Sequence, residues 1–144
     1  MKNKVLGMLK ENKEFINKLT EALSNLDTKL IFYIDIKESR VMSIAADLFK
    51  AVENNENILL IEPLIEDIFE LMEDFTLEQD DDEVQNYLMA KLKNKDRTLG
   101  IKNFLSSLNG YSRSQKAWDK LFRSWIQERA LEYVDDFQVR LEKL

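Results

Sequence analysis

The chain has 144 residues, of which 33% are charged and 44% hydrophobic, and its formal net charge is −6. That length suits one domain with a real core, and that composition suits a folded chain rather than a disordered one. There is no cysteine and no histidine. Disulfides, thiolate and imidazole metal sites, and Ser-His-Asp or Cys-His mechanisms are therefore excluded, and only carboxylates, Lys, Arg, Tyr, Ser and Thr remain for chemistry.

In chain order, Val5, Leu9, Ile16, Leu19, Leu23 and Leu26 recur at steps of three and four, with polar Asn12 completing the series. The spacing predicts one amphipathic helix over residues 5–26. Its stripe either docks on the chain's own core or forms a homodimer seam through residues 5–26, with Asn12 as a register-setting polar position.

Residues 29–36 and 40–45 are rich in β-branched and aromatic side chains, and Lys37-Glu38-Ser39 separates them. They read as a hairpin whose turn is longer than two residues, with Leu30, Phe32, Ile34 and Ile36 on one face. Residues 47–54 suggest a short helix with Leu48, Phe49 and Val52 inward. Residues 57–61 suggest a third strand buried on both faces, because its aliphatic run does not alternate with polar positions.

Pro63 suits the first turn of a helix, and Ile65, Ile68, Phe69, Met72 and Phe75 follow at helical spacing. A further helix over about 82–93 would bury Val84, Leu88 and Leu92. The next, over about 98–108, would bury Ile101, Phe104, Leu105 and Leu108, with Gly110 as its C-cap signal. A long last helix over about 114–141 carries Trp118, Phe122, Trp125, Ile126, Val134, Phe137 and Leu141. The expected fold class is α+β: one domain over residues 1–144, mainly a helical bundle packed on a small antiparallel sheet of about three strands.

Charge is distributed unevenly. Residues 1–85 hold 9 basic and 20 acidic side chains, whereas residues 86–144 hold 12 basic and 7 acidic. Between Glu53 and Glu83 there are 13 acidic residues and no Lys or Arg. A candidate acidic interaction face comprises Glu66, Glu70, Glu73, Asp74, Asp80, Asp81 and Asp82. A candidate basic patch comprises Lys91, Lys93, Lys95, Arg97, Lys102, Arg113, Lys116 and Lys120. The plain alternative for both is a solvated polar surface.

Paired carboxylates at Glu66, Glu70, Glu73 and Asp74 could also ligate Mg²⁺ or divide acid and base roles. The run Asp80-Asp81-Asp82-Glu83 is not a calcium-binding EF-hand loop. Counted from Asp80, Val84, Gln85 and Lys91 stand where a ligand, a glycine and a glutamate are required. It reads instead as a helix start, with an Asp cap and acids at the positive end of the dipole. The three glycines are isolated, so no phosphate-cradling loop occurs.

Several segments together resemble one family. They are the hairpin Leu30–Val41, the aliphatic strand 58–61, the run Ile68–Phe75, residues Leu88 to Leu92, residues Gly100–Leu105, and the terminal helix with Glu132-Tyr133-Val134. The chain resembles Uncharacterised Protein Family 0158 over residues 29–137. The resemblance implies a small bacterial protein and carries no catalytic residue. Where the family's hairpin turn usually has Gly, this chain has Lys37-Glu38-Ser39.

The expected function is a non-enzymatic protein-interaction or regulatory module whose acidic helical face, residues 63–83, meets an unknown and basic protein partner. The first alternative is nucleic-acid binding through residues 91–123, disfavoured by a pI near 4.8. The second is a carboxylate-metal hydrolase. No cofactor is expected. With no apolar run near the roughly 20 residues of a span and no signal-like N-terminus, no membrane partner is expected, and the expected address is cytoplasmic.

Overall fold

The computed structural model describes residues 9–142, with side chains as far as Phe137. The fold is α+β, with a three-stranded antiparallel sheet and mostly helix elsewhere. By internal contacts the chain divides into two compact units. One takes the residues up to Pro63 together with those from Ser124 onward, and the other takes Leu64–Arg123.

In the first unit, helix α1 spans Lys13–Leu23. The apolar stripe continues N-terminal to it, and residues 9–11 are helical as well, but Asn12 breaks the helix between them. Asn12 leaves helical geometry, and its side chain accepts a 3.1 Å hydrogen bond from the Phe15 N–H. Asn12 is thus an N-cap, because a short amide side chain satisfies a first-turn N–H better than it fills an apolar stripe. Leu9, Phe15, Ile16, Leu19, Ala22 and Leu23 are buried within the chain's own fold. Val5 lies outside the described residues.

Strands β1 (Leu30–Asp35), β2 (Arg40–Ala45) and β3 (Ile58–Ile61) form the sheet in the order β2-β1-β3. The register sets Ile34 opposite Val41 on one side and opposite Leu59 on the other, with Phe32 opposite Ile61. Alternation along a strand places Ile34, Val41 and Ile61 on one face, and these three are the fully buried residues of the sheet. The third strand is not buried on both faces. It is an edge, and Leu60 is 42% exposed. A continuous aliphatic run also arises in a four-residue edge strand too short to show alternation.

The helix expected near 47–54 is a 3-10 helix, Ala46–Ala51, and Leu48 lies on its outside, 59% exposed. Its tighter winding moves the inward positions away from those of an α-helix. The hairpin turn is four residues long, and Ser39 has φ +54°. It therefore occupies the left-handed region that glycine favours.

In the second unit, α2 spans Ile65–Leu77, α3 Asp82–Leu92 and α4 Arg97–Leu108. The long α5, Ser112–Glu142, contributes its start to this unit and the rest to the first. In the first unit, Lys10 forms an ion pair with Asp135 of α5. Asp81 caps α3 by accepting from the Glu83 and Val84 N–H groups, and Asp96 caps α4 by accepting from the Leu99 N–H. Leu64 precedes α2 without a side-chain cap, and Glu66 and Asp67 supply first-turn carboxylates instead.

Phe75 of α2, Phe104 of α4 and Trp118 of α5 meet edge-to-face in a three-ring cluster, with centroids 5.4–6.2 Å apart. Leu105 points outward, 37% exposed, beside buried Phe104. Gly110 does not adopt a positive φ, and Asn109 is the C-cap of α4.

Gly100 is the position where bulk is least tolerated. A Cβ there would lie 2.4 Å from the Leu92 carbonyl oxygen, so absence of a side chain sets how closely α4 approaches the end of α3. At Gly110 the nearest atom would be 3.7 Å away, an ordinary contact.

Three stability outcomes follow from urea unfolding. Gly100→Ala loses about 1–3 kcal/mol through overpacking against backbone. Gly110→Ala changes stability by less than about 1 kcal/mol, and in the stabilising direction. Ser39→Gly gains about 0.5–1 kcal/mol by relieving the left-handed conformation of a residue with a Cβ.

Candidate functional site

All seven residues of the acidic face belong to the second unit, on α2 and at the α2–α3 junction. Ile68, Phe69, Met72 and Phe75 take the inner side of α2, which leaves the carboxylates outside. Glu66, Glu70 and Asp74 are exposed and Glu73 is half-buried, while Asp80, Asp81 and Asp82 are exposed.

These groups have different neighbours. Glu66 lies 3.5 Å from Nε of Arg97, and Asp81 is engaged as the α3 cap. Glu70, Glu73, Asp74, Asp80 and Asp82 form no ion pair with any described residue. Nothing in their geometry gathers them around a point. Among the described residues no three Asp, Glu, His or Cys groups stand in a metal-holding arrangement. That includes the set Glu66, Glu70, Glu73 and Asp74.

The basic candidates are spread over α3, the α3–α4 loop, α4 and the start of α5. Lys91 sits 5.4 Å above the Tyr87 ring. Arg97 stacks 3.9 Å from the centre of the Phe69 ring while its Nε faces Glu66. Lys93 and Lys95 border a shallow loop depression with Asn94 and Arg97. Lys102, Arg113, Lys116 and Lys120 are exposed. The aromatic residues near them are not free platforms. Trp118 is buried, and it also stacks on Phe122 at 5.4 Å.

Two hollows were not foreseen from the sequence. One, about 660 Å³, lies between the start of α1 and the hairpin turn, with Leu9, Phe15 and Val41 at its base. Its rim carries both signs of charge, from Glu14, Glu38, Lys18 and Arg40. The other, about 380 Å³, lies within the second unit between the starts of α3 and α5, where Asp80 and Asp81 face Tyr111 and Arg113. Ser114 there donates a 2.9 Å hydrogen bond to Gln79 Oε1. No sequence signal marks either hollow, since each joins residues about 30 positions apart along the chain. No described helix is long and apolar enough to cross a membrane.

A family model, that of an uncharacterised protein family (UPF0158), matches residues 12–143. Neither the curated proteins nor the solved structures contain a match.

Arg97 tests how tightly the two charge sets are joined. Arg97→Lys keeps the charge but loses the planar stack on Phe69, and costs about 1 kcal/mol in thermal or urea unfolding. Glu66→Gln removes only an exposed ion pair, and costs under about 0.5 kcal/mol.

Proposed function

The chain belongs to the uncharacterised protein family UPF0158, and we propose that it acts as a non-enzymatic interaction module whose acidic α2 surface recruits a basic protein partner. One observation carries this reading. Glu70, Glu73, Asp74 and Asp82 stand along α2 and the following junction in no ion pair with any described residue. They fall in a stretch of 31 positions, Glu53–Glu83, without a single Lys or Arg. A surface of one sign raises the local concentration of oppositely charged partners and speeds their encounter, an effect that salt screens.

The chemistry of the chain supports a binding role over a catalytic one. It offers no imidazole or thiol, and among the described residues no three carboxylates gather in an arrangement that could hold a metal ion. A regulatory use of such a module, in the cytoplasm, belongs to the same reading.

The test is an affinity pulldown from native lysate at low salt, run in parallel with a Glu70→Lys, Glu73→Lys, Asp74→Lys variant. None of the three side chains forms an ion pair with a described residue, so the variant keeps the helical circular dichroism of the parent. The expected result is a basic protein retained by the parent, released by salt and lost by the variant. Equal retention by the two proteins, or a captured partner of acidic character, overturns the proposal.

A further inference from the structure

β3 is an edge strand with an exposed Leu60, and the α2 surface does not account for it. Among the described residues β3 pairs only with β1. In that ladder the Ile36 N–H donates to the Asn57 carbonyl at 2.7 Å, and the same register continues as Asp35↔Ile58, Ile34↔Leu59, Tyr33↔Leu60 and Phe32↔Ile61. Antiparallel pairs alternate between bonded and non-bonded. Asn57, Leu59 and Ile61 therefore turn their backbone groups toward β1, and Ile58, Leu60 and Glu62 turn theirs to the open side. The Ile58 N–H bonds back to the Asn55 carbonyl at 3.2 Å. The Ile58 carbonyl, both backbone groups of Leu60 and the Glu62 N–H are left over, and no described residue bonds to them. Pro63 then ends the edge, since it has no N–H to offer.

An unpaired edge is a template for another strand. The surrounding charge decides which strand. Glu53, Glu56 and Glu62 flank β3, all exposed and none in an ion pair with a described residue, and no Lys or Arg occurs between Lys50 and Lys91. A second copy of β3 is disfavoured. Antiparallel pairing that sets Leu60 opposite Ile58 brings Glu62 of one copy to the turn of the other that carries Glu56, and like charges brought together at both ends of the pair destabilise it.

Leu60 and Glu62 share one face of the strand by alternation. The complementary segment has an apolar residue opposite Leu60 and a Lys or Arg two positions to either side, one facing Glu62 and the other beside Ile58, from which its long side chain extends toward Glu56 in the preceding turn. We infer that β3 binds an extended, lysine- or arginine-flanked apolar peptide segment by strand addition, through the outward backbone groups of Leu60 and the carboxylates of Glu56 and Glu62.

The probe is a fluorescein-labelled peptide containing Lys-Thr-Val-Thr-Lys, followed by fluorescence anisotropy on the full chain. Binding that weakens as salt rises is expected. N-methylation of the Val amide, which faces β3, weakens binding by about tenfold, the effect of losing one hydrogen bond and crowding its neighbour. N-methylation of a Thr amide, which faces away, leaves binding unchanged. Leu60→Pro removes the outward N–H at an edge position where Pro is tolerated, and lowers affinity likewise. Glu56→Lys with Glu62→Lys abolishes binding. The peptide comparison holds whether or not the Pro variant folds. Three outcomes overturn the proposal: no anisotropy change, equal binding by the Val- and Thr-methylated peptides, or a dimer in sedimentation that Leu60→Pro dissociates.

Discussion

Phe75, Phe104 and Trp118 come from three helices and meet edge-to-face at one point, and the second unit is organised around that contact. Edge-to-face rings are attracted by their quadrupoles as well as by burial, so the cluster fixes orientation as well as proximity. Once Phe75 is turned inward, the rotation of α2 is set. Ile68, Phe69 and Met72 follow it into the core, and Glu66, Glu70 and Asp74 are left on the solvent side. The acidic surface is thus the outer consequence of an aromatic core contact. Gly100 adds a second constraint, because only a residue without a Cβ lets α4 lie against the Leu92 carbonyl.

The sheet of the first unit depends on a narrower base. Ile34, Val41 and Ile61 are its three fully buried members, one from each strand and all on one face. A three-stranded sheet leaves two of its strands at edges, and isolated small sheets need a packed face to be stable. Here that face is small, and β3 keeps an exposed Leu60 and an unpaired backbone. The left-handed Ser39 in the hairpin turn is a further local cost. Leu9, Phe15, Ile16, Leu19, Ala22 and Leu23 on and before α1, and Ile126, Ala130, Val134 and Phe137 on α5, are the other buried apolar residues of this unit.

The two charge sets of the chain are less separate than their distribution along the sequence suggests. Arg97 lies in the basic stretch, yet it is held by Phe69 and Glu66 of the acidic helix. Two Asp residues, Asp81 and Asp96, are committed to helix starts, where their oxygens replace missing backbone acceptors. What is left outside any ion pair among the described residues is a smaller group on α2 and the junction, and it is on this group that the proposed binding role rests.

Much of this was legible in the sequence because it depends on local spacing. Helical periodicity located α2 to α5 within a few residues, the hairpin was visible in its β-branched flanks and polar turn, and the family followed from the order of those core segments. The same local logic explains the departures. Asn12 looked like a stripe position but caps a helix, and the β3 run looked doubly buried but is an edge, because spacing records which residues are apolar and not what lies beside them. Leu48 and Leu105 were expected inward for the same reason, and both are exposed.

Composition excluded imidazole and thiol chemistry, and residue order fixed a block of acid that contains no Lys or Arg. Only the tertiary structure decided which carboxylates are engaged by Arg97 or by a helix start, which backbone groups of β3 remain open, and that α1 and the sheet share a unit with α5 from Ser124 on. Those outcomes depend on contacts between residues far apart in the chain, which no local pattern encodes.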